Sequence, residues 1–448
     1  MSLVRKENLK MQAIQNALQK WLFPIAQKLE QQRHLQSVKD GVVAIIPIII
    51  IGSFCMIPVG LGNLFGGGFG AWVNDHILIF NFPTYFTTNI MSLFSAFFIA
   101  ESLAKRYNMK SPSMLGIMAV LVQVVLCVNV DPENSMIFDI TSLGSEGLFV
   151  SIIGGLLVVE ITRFFEKYNL TIRMPDSVPP MVSESFSSLI PFAFNVILAC
   201  AVALLCTTYA GTTFPKIIIS LLAPAISSMD SVWAVAIIIF LTQLLWVFGL
   251  HGAAITQSVW APFAITYAAE NAAAVAAGVA PEHIFTYGFY FGFLQVSGSG
   301  MTLLLVIMMC RSKAKSLSSI GKVGIIPSFF GINEPIIFGL PVIMNPFMLI
   351  PFVLGPVIVS VISYEAMATG LVSLPLGEAP GFLPPGFQAF LLTMDWKAAV
   401  LAIFNVCLMG LFYYPFFKAM EADELRKEKE AEAEELKAAE AKEKIEQA

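Results

Sequence analysis

The stretch GIIPSFFGINEPIIFGLPVIMNP, Gly324 to Pro346, places one carboxylate, Glu334, in an otherwise apolar run. Glycines Gly324, Gly331 and Gly339 and prolines Pro327, Pro335, Pro341 and Pro346 punctuate it. Each proline removes an amide donor and fixes φ, so no uninterrupted membrane-spanning helix passes through. The stretch reads instead as a broken, re-entrant segment. Irregular backbone at membrane depth is tolerated only where protein buries it or where it lines a watery cavity, so a Glu there marks a substrate site. The alternative is a Glu that caps a short helix or sits in a cytoplasmic loop.

The surrounding composition sets the class. The chain has 448 residues, 57% hydrophobic and 13% charged, with a mean hydropathy of +0.76. That is too apolar for a water-soluble fold and long enough for about ten spans of about 20 residues each. An all-α polytopic membrane protein is expected. The net charge of −5 comes from the tail, because residues 421–448 hold eleven acids and six bases and leave 20 of each elsewhere. No basic patch suits nucleic acid. Cys55, Cys127, Cys200, Cys206, Cys310 and Cys407 are scattered through apolar stretches with no CxxC or Cys/His spacing, so neither metal nor disulfide is expected.

Hydropathy and charge order the segments. Leu9, Ile14, Leu18, Leu22, Ile25 and Leu29 recur at helical spacing among Lys and Arg residues, which reads as an interfacial helix on an anionic membrane face. Spans are expected at about 41–60, then ending at Lys105 and Arg106, then after Pro112, then ending at Arg163 and Lys167. The intervening connections 61–83 and 131–147 lack basic residues, which places the N-terminus inside. A Pro-broken loop follows over 167–188, then a span at about 189–208, an interfacial stretch over 216–228 and a span over 232–250. The Ala-rich 252–282 suits a hairpin or re-entrant element. Further spans are expected at about 284–310, 347–364 and 396–416, with a Pro/Gly-rich connection over 374–386. The tail reads as a solvated Glu/Lys helix without chemistry. The segments group as an interfacial helix over 1–40, transmembrane halves over 41–213 and 214–420, and a charged cytoplasmic tail over 421–448.

Several side chains are candidates for chemistry. His251, in WVFGLHGAAITQ, ends an apolar helix between Gly249 and Gly252; it either exchanges hydrogen bonds with a hydroxyl or caps the helix end. Glu334 with Asn333, and His251 with Gln257, supply polar groups to an apolar cavity, a combination suited to a polyhydroxyl ligand. Trp246 and Phe382 offer rings on which the C–H face of a sugar stacks, or they are ordinary core or lipid contacts. Trp246 precedes His251 by five residues, so the two need not share a helix face. No P-loop, G-x-S-x-G, H-E-x-x-H or Rossmann glycine pattern is present, and ATP-driven transport by this chain alone is not expected.

At GINEP, Gly331 to Pro335, continued to Pro346, the sequence resembles the membrane IIC component of the phosphoenolpyruvate-dependent sugar phosphotransferase system, of the lactose/cellobiose/diacetylchitobiose family. Three further stretches agree in order: RHLQSVKDGVVAIIP (Arg33 to Pro47), GSEGLFVSIIGGLLVVEITRFF (Gly144 to Phe165) with MPDSVPPMVSESFSSLIP (Met174 to Pro191), and LLWVFGLHG (Leu244 to Gly252). The resemblance covers almost everything before the tail. It implies a homodimer in the bacterial inner membrane with about ten spans, two re-entrant hairpins and both termini cytoplasmic. The N-terminal half would dimerise and the C-terminal half would hold the sugar. Such a permease takes up a β-linked disaccharide, cellobiose-like, and presents its C6 hydroxyl to a phosphorylated cysteine on a separate IIB protein, itself charged by IIA. No cofactor or metal is implied. By the resemblance, Glu334 is the motif glutamate at the sugar hydroxyls, His251 the motif histidine near the phosphorylated end, and Trp246 a stacking aromatic. Phe382 stands where many relatives carry Trp, which keeps stacking and loses the indole N–H.

Two readings from other classes compete. In a proton-coupled symporter, Glu334 and His251 would form a proton relay, and the solute would be released unmodified. In a membrane sugar receptor the tail would carry the signal, and removal of 421–448 would leave transport largely intact.

Overall fold

The computed structural model describes residues 31–446 except Ile57, Gly60, 63–65, 131–137, Ile140, Arg173, Asp176, Ser177, 341–344 and Phe382, together with Pro24 and Lys28. The interfacial helix expected before Arg33 falls almost wholly outside the described residues, as does Phe382. Among the described residues the chain is helical apart from a two-residue antiparallel pair, β1 (Asn129–Val130) with β2 (Phe138–Asp139). The first helices are α1 (Arg33–Ala44), α2 (Ile46–Cys55), α3 (Gly67–Asp75), α4 (Ile77–Tyr85), α5 (Met91–Arg106), α6 (Pro112–Cys127), α7 (Glu146–Lys167) and α8 (Pro180–Tyr209). Then come α9 (Phe214–Met229), α10 (Val232–Val247), α11 (Gly252–Ala276), α12 (Tyr287–Phe289), α13 (Leu303–Cys310), α14 (Lys315–Phe329), α15 (Glu334–Gly339), α16 (Pro346–Ala368), α17 (Phe387–Thr393) and α18 (Trp396–Glu446).

Apolar composition and length decide which of these cross a membrane. Six qualify among the described residues: Arg33–Cys55, Ile77–Arg106, Glu146–Lys167, Phe186–Tyr209, Met348–Ala368 and Trp396–Glu434, and the α9–α10 pair, bent by 75°, would be a seventh. Helix α6 is apolar but has 16 residues, roughly 24 Å at the α-helical rise and short of a full hydrocarbon core.

Helix α8 begins at Pro180, inside the loop expected over 167–188, and α4 occupies the end of the connection expected over 61–83; two further expected elements differ, each for a local reason. The span expected at 284–310 is divided, because α12 runs into a π turn, Tyr290–Leu294, and the backbone leaves the helix before α13. Ser297, Gly298, Gly300 and Met301 there all take positive φ, which no right-handed helix contains. Conversely, the hairpin expected over 252–282 is the single 25-residue helix α11, with Pro262 inside it. Its alanines lower the hydropathy yet are the best helix formers, and Ala261, Ala264 and Ala268 are fully buried. They are therefore packing positions rather than the mark of a break.

Two large apolar cores result. One joins α5, α6 and α7 through residues such as Ala100, Leu103, Met118 and Val150. The other spans the later helices, with Trp260, Phe289, Phe293, Phe352 and Tyr413 fully buried. Phe149 meets Phe263 at 5.2 Å between them, and Asn81 Nδ2 donates to the Ala276 carbonyl at 3.0 Å.

The elbow between α9 and α10 is fixed by Asp230, whose carboxylate accepts from Phe285 N at 2.9 Å and lies 3.0 Å from His283 Nδ1. His283 Nε2 pairs with Glu270 at 2.8 Å, and Tyr364 donates to the Asp230 carbonyl at 2.9 Å. An imidazole between two carboxylates meets both only when both ring nitrogens carry protons. Burial alone would lower the His283 pKa, but the hydrogen bonds to Asp230 and Glu270 outweigh it and push it up to about 9 from 6.5. A raised pKa means that this stabilisation is full below about pH 6.5 and is lost as pH rises through about 9. His283→Gln should accordingly lower the thermal midpoint at pH 6.5 and change it little at pH 9.5; an equal loss at both pH values would contradict the charged bridge.

Candidate functional site

Glu334 lies in the first turn of α15, directly after Asn333 at its N-terminal boundary. The turn before it requires Gly331, with φ of +83°. The Asn333 side-chain amide donates to the Ser299 carbonyl and, at 3.0 Å, to Thr302 Oγ1. Asn333 therefore fastens the Glu334 turn to the irregular 295–302 segment, so that one break in the helical backbone supports the other. The approach is close: a Cβ on Gly298, whose φ is +91°, would fall 2.5 Å from the Asn333 side chain. The carboxylate is left with Oε2 buried and without a hydrogen-bond partner among the described residues.

Trp246, in the last turn of α10, is 2% exposed, and its Nε1 is likewise buried without a partner among the described residues. Five residues separate it from His251, yet their rings are 4.4 Å apart. The chain folds back at Gly249, with φ of +80°, and α11 starts so close to α10 that a Cβ on Gly252 would sit 1.9 Å from the Thr242 carbonyl oxygen. Trp246 also meets Phe338 of α15 at 6.3 Å. These ring contacts set Trp246 and His251 beside the helix that begins with Glu334. His251 is exposed at the start of α11, where its Nδ1 accepts the Ala254 N–H at 3.1 Å. With Nδ1 accepting, the proton of the neutral ring sits on Nε2.

Gln257, one turn further along α11, donates from Nε2 to the Tyr287 hydroxyl at 3.3 Å. Tyr287 in turn lines a cavity of about 360 Å³, together with Phe291, Gln295, Ser297, Gly331 and Gln388. Val43, Ile46, Pro47, Ile50, Gly381 and Leu383 also line it. Through Gly331 the cavity reaches the turn that carries Glu334, while the side chains of Glu334, His251 and Trp246 stand outside its lining. The volume is at the lower end of small-molecule sites, and the wall is apolar with a few amides and hydroxyls, as a sugar ring requires.

Sequence reasoning gave no role to Glu378, in the Pro/Gly-rich connection before α17. It is 5% exposed, its carboxylate accepts the Gly288 N–H at 3.0 Å, and its own N–H donates to Ser53 Oγ at 3.0 Å. Glu378 thus ties α2 to the turn that holds Tyr287. The signal was present in the sequence: GEAPG, like NEP, sets one acid among glycine and proline in an apolar stretch.

Comparison with known proteins agrees with this geometry. A family model described as the phosphotransferase system EIIC matches residues 39–356. The chain is an EIIC component of the phosphotransferase system. This EIIC is 35% identical to the cellobiose-specific EIIC component of Geobacillus stearothermophilus over 91% of its own length and 94% of the relative's. It is equally 35% identical to the lichenan permease IIC component of Bacillus subtilis (strain 168), over 94% and 97% of the two chains. The crystal structure of ChbC, the IIC component from the N,N'-diacetylchitobiose-specific system, superposes with a TM-score of 0.83 at 31% identity, covering 92% of this EIIC and 99% of that chain. This EIIC is thus an all-helical, multi-pass membrane protein.

The Asn333 fastening has a measurable consequence. Asn333→Ala would strip the Ser299 carbonyl of its donor, a loss of ~1–3 kcal/mol. The thermal midpoint of the purified protein should fall, and Gly298→Ala should lower it comparably; wild-type midpoints in both would show that the two breaks are not coupled.

Proposed function

We propose that this EIIC carries a β-linked disaccharide, cellobiose-like, across the bacterial inner membrane and releases it as the 6-phosphate, with a phosphorylated IIB protein as donor and IIA upstream. The observation that carries the reading is the pair of polar atoms, Glu334 Oε2 and Trp246 Nε1, that are buried without a partner among the described residues, in elements held against each other beside an apolar, amide-bearing cavity. A buried polar atom without a partner costs free energy, and sugar hydroxyls are groups that satisfy both an acceptor and a donor. The relatives support the substrate class, since their names include cellobiose, lichenan, oligo-β-mannoside and diacetylchitobiose.

We assign different roles to Glu334 and His251. His251, whose Nδ1 accepts the Ala254 N–H, is assigned to orienting the sugar by hydrogen bonding rather than to taking the proton. Glu334, with a free carboxylate oxygen, is the proton acceptor. In the transfer the C6 oxygen attacks phosphorus on the IIB cysteine, the O–P bond forms as the S–P bond breaks, the thiolate leaves, and the hydroxyl proton passes to Glu334. Trp246 and Phe382 stack on the rings, and Gln257 and Asn333 complete the polar contacts, Asn333 chiefly by holding the turn. Most of the rate comes from positioning.

The same reading puts both termini in the cytoplasm, because Lys105, Arg106, Lys167, Arg311, Lys313 and Lys315 lie at or just after the C-terminal ends of α5, α7 and α13, while 61–83 and 131–147 carry no Lys or Arg. It also assigns dimerisation to the half over 41–213 and the sugar to the half over 214–420. The apolar window of α8, Phe186–Tyr209, is 17% buried, against 39–50% for the other five, so lipid or a second copy covers it.

The test is uptake of radiolabelled cellobiose into vesicles with and without phosphorylated IIB, followed by separation of internal sugar from its 6-phosphate. Sugar phosphate formed only with the phosphorylated partner is the expected result. Free sugar accumulating under a proton gradient without that partner would replace this reading with a symporter.

A further inference from the structure

Helix α18 does not end with its apolar part but runs unbroken into the charged tail. Glu421, Leu425, Glu428 and Glu432 follow one another at spacings of four, three and four, so they share one face of the helix. That face is buried at Glu421, partly buried at Leu425 and Glu428, and exposed at Glu432. Glu421, 8% exposed, accepts from Ser312 Oγ at 2.7 Å and from Lys313 N at 3.1 Å. Leu425 packs against the large core of the later helices. Glu428 accepts the N–H groups of Lys315 at 3.2 Å and Ser316 at 2.9 Å, and Glu432 pairs with Lys315 Nζ at 3.1 Å. The acids on the adjoining face, Asp423 and Glu424, pair instead with Arg426 and Lys427 three or four residues away.

Lys315 and Ser316 open α14. That helix has no side-chain cap of its own, since Ala314 stands at its N-terminal boundary. Its first amides carry partial positive charge and need acceptors, and Glu428, more than a hundred residues away, supplies both. At its other end α14 leads through Gly331 and Asn333 into Glu334. One end of the arm is therefore held by Asn333 and the other by the tail.

We propose that the first turns of the tail, through Glu421 and Glu428, are a positioning strut for the re-entrant arm that carries Glu334, so that affinity for the sugar depends on the tail's register. This rests on the reading of Glu334 as a sugar ligand given above. It also divides the tail: the strut lies within 421–432. A tail that is wholly solvated would allow removal of all of 421–448 without loss, and the strut does not.

Four forms of the full protein in detergent or vesicles test this: truncation after Met420, truncation after Glu434, Glu428→Lys and Glu428→Gln. For each, amide hydrogen exchange over 315–334 is measured together with KM and kcat for cellobiose phosphorylation by phosphorylated IIB, on protein that elutes as the wild type does. Truncation after Met420 and Glu428→Lys should each speed exchange at Lys315 and Ser316 and raise KM severalfold, the larger effect in the truncation because it also removes the buried Glu421, with kcat nearly unchanged. Truncation after Glu434 should change neither quantity. Glu428→Gln, which keeps an acceptor oxygen, should recover most of the affinity. Unchanged exchange, or faster exchange with an unchanged KM, in the Met420 truncation would overturn the strut. If the truncation behaves as expected but Glu334→Gln leaves cellobiose phosphorylation intact, the strut stands and the role assigned to Glu334 fails.

Discussion

The hydrogen bonds from Asn333 to the Ser299 carbonyl and Thr302 are the constraint on which the site depends. Within a membrane every backbone polar group must be satisfied by protein or by water held in a cavity, so a chain that leaves the helix must supply substitutes. This EIIC leaves it twice, at 295–302 and at the turn before Glu334, and uses the side chain of the second break to satisfy the backbone of the first. Fastened together, the two breaks open space where Ser297 and Gly331 line one cavity. A carboxylate can then stand in a largely apolar environment with one oxygen unpartnered among the described residues.

The rest of the later half keeps that arrangement in register. Asp230 and His283 fix the elbow from which α10 runs to Trp246, and Glu378 pins the turn carrying Tyr287 to α2. Gly252 allows α10 and α11 to approach closely enough for the Trp246 and His251 rings to meet. Each of these is a polar or steric fixture set into helices whose apolar faces alone would permit sliding. The acids at 230 and 378, like Glu334, are placed where backbone N–H groups or a ligand can use them rather than where water can.

Much of this was legible in the sequence, and the exceptions are instructive. Glycine and proline between Gly324 and Pro346 marked the broken segment, because those residues act locally and need no tertiary context. The GINEP motif and the GLHG turn singled out Glu334 and His251, and the fold sets their elements side by side through Trp246 and Phe338. The break at 295–302 was missed, since VSGSGM carries no proline and its apolar flanks sustain a span-like hydropathy. Helix α11 was missed in the opposite sense, because hydropathy counts alanine as weakly apolar while packing uses its smallness. Neither His283 between Asp230 and Glu270 nor Glu428 on α14 could be read from the chain, since the partners are separated by up to more than a hundred residues. The proximity of Trp246 and His251 depends on a left-handed Gly249, which helical spacing cannot anticipate.

The central claim is that Glu334 takes the proton while His251 donates a hydrogen bond. It is tested most directly by single-turnover phosphoryl transfer from phosphorylated IIB to cellobiose, with sugar binding measured in parallel, in Glu334→Gln and His251→Gln. Loss of a general base slows transfer by about 10²–10⁴-fold. The account predicts a loss of that size for Glu334→Gln with sugar binding largely retained, and a loss of about tenfold for His251→Gln. Wild-type transfer by Glu334→Gln, with the larger loss in His251→Gln, would reverse the assignment.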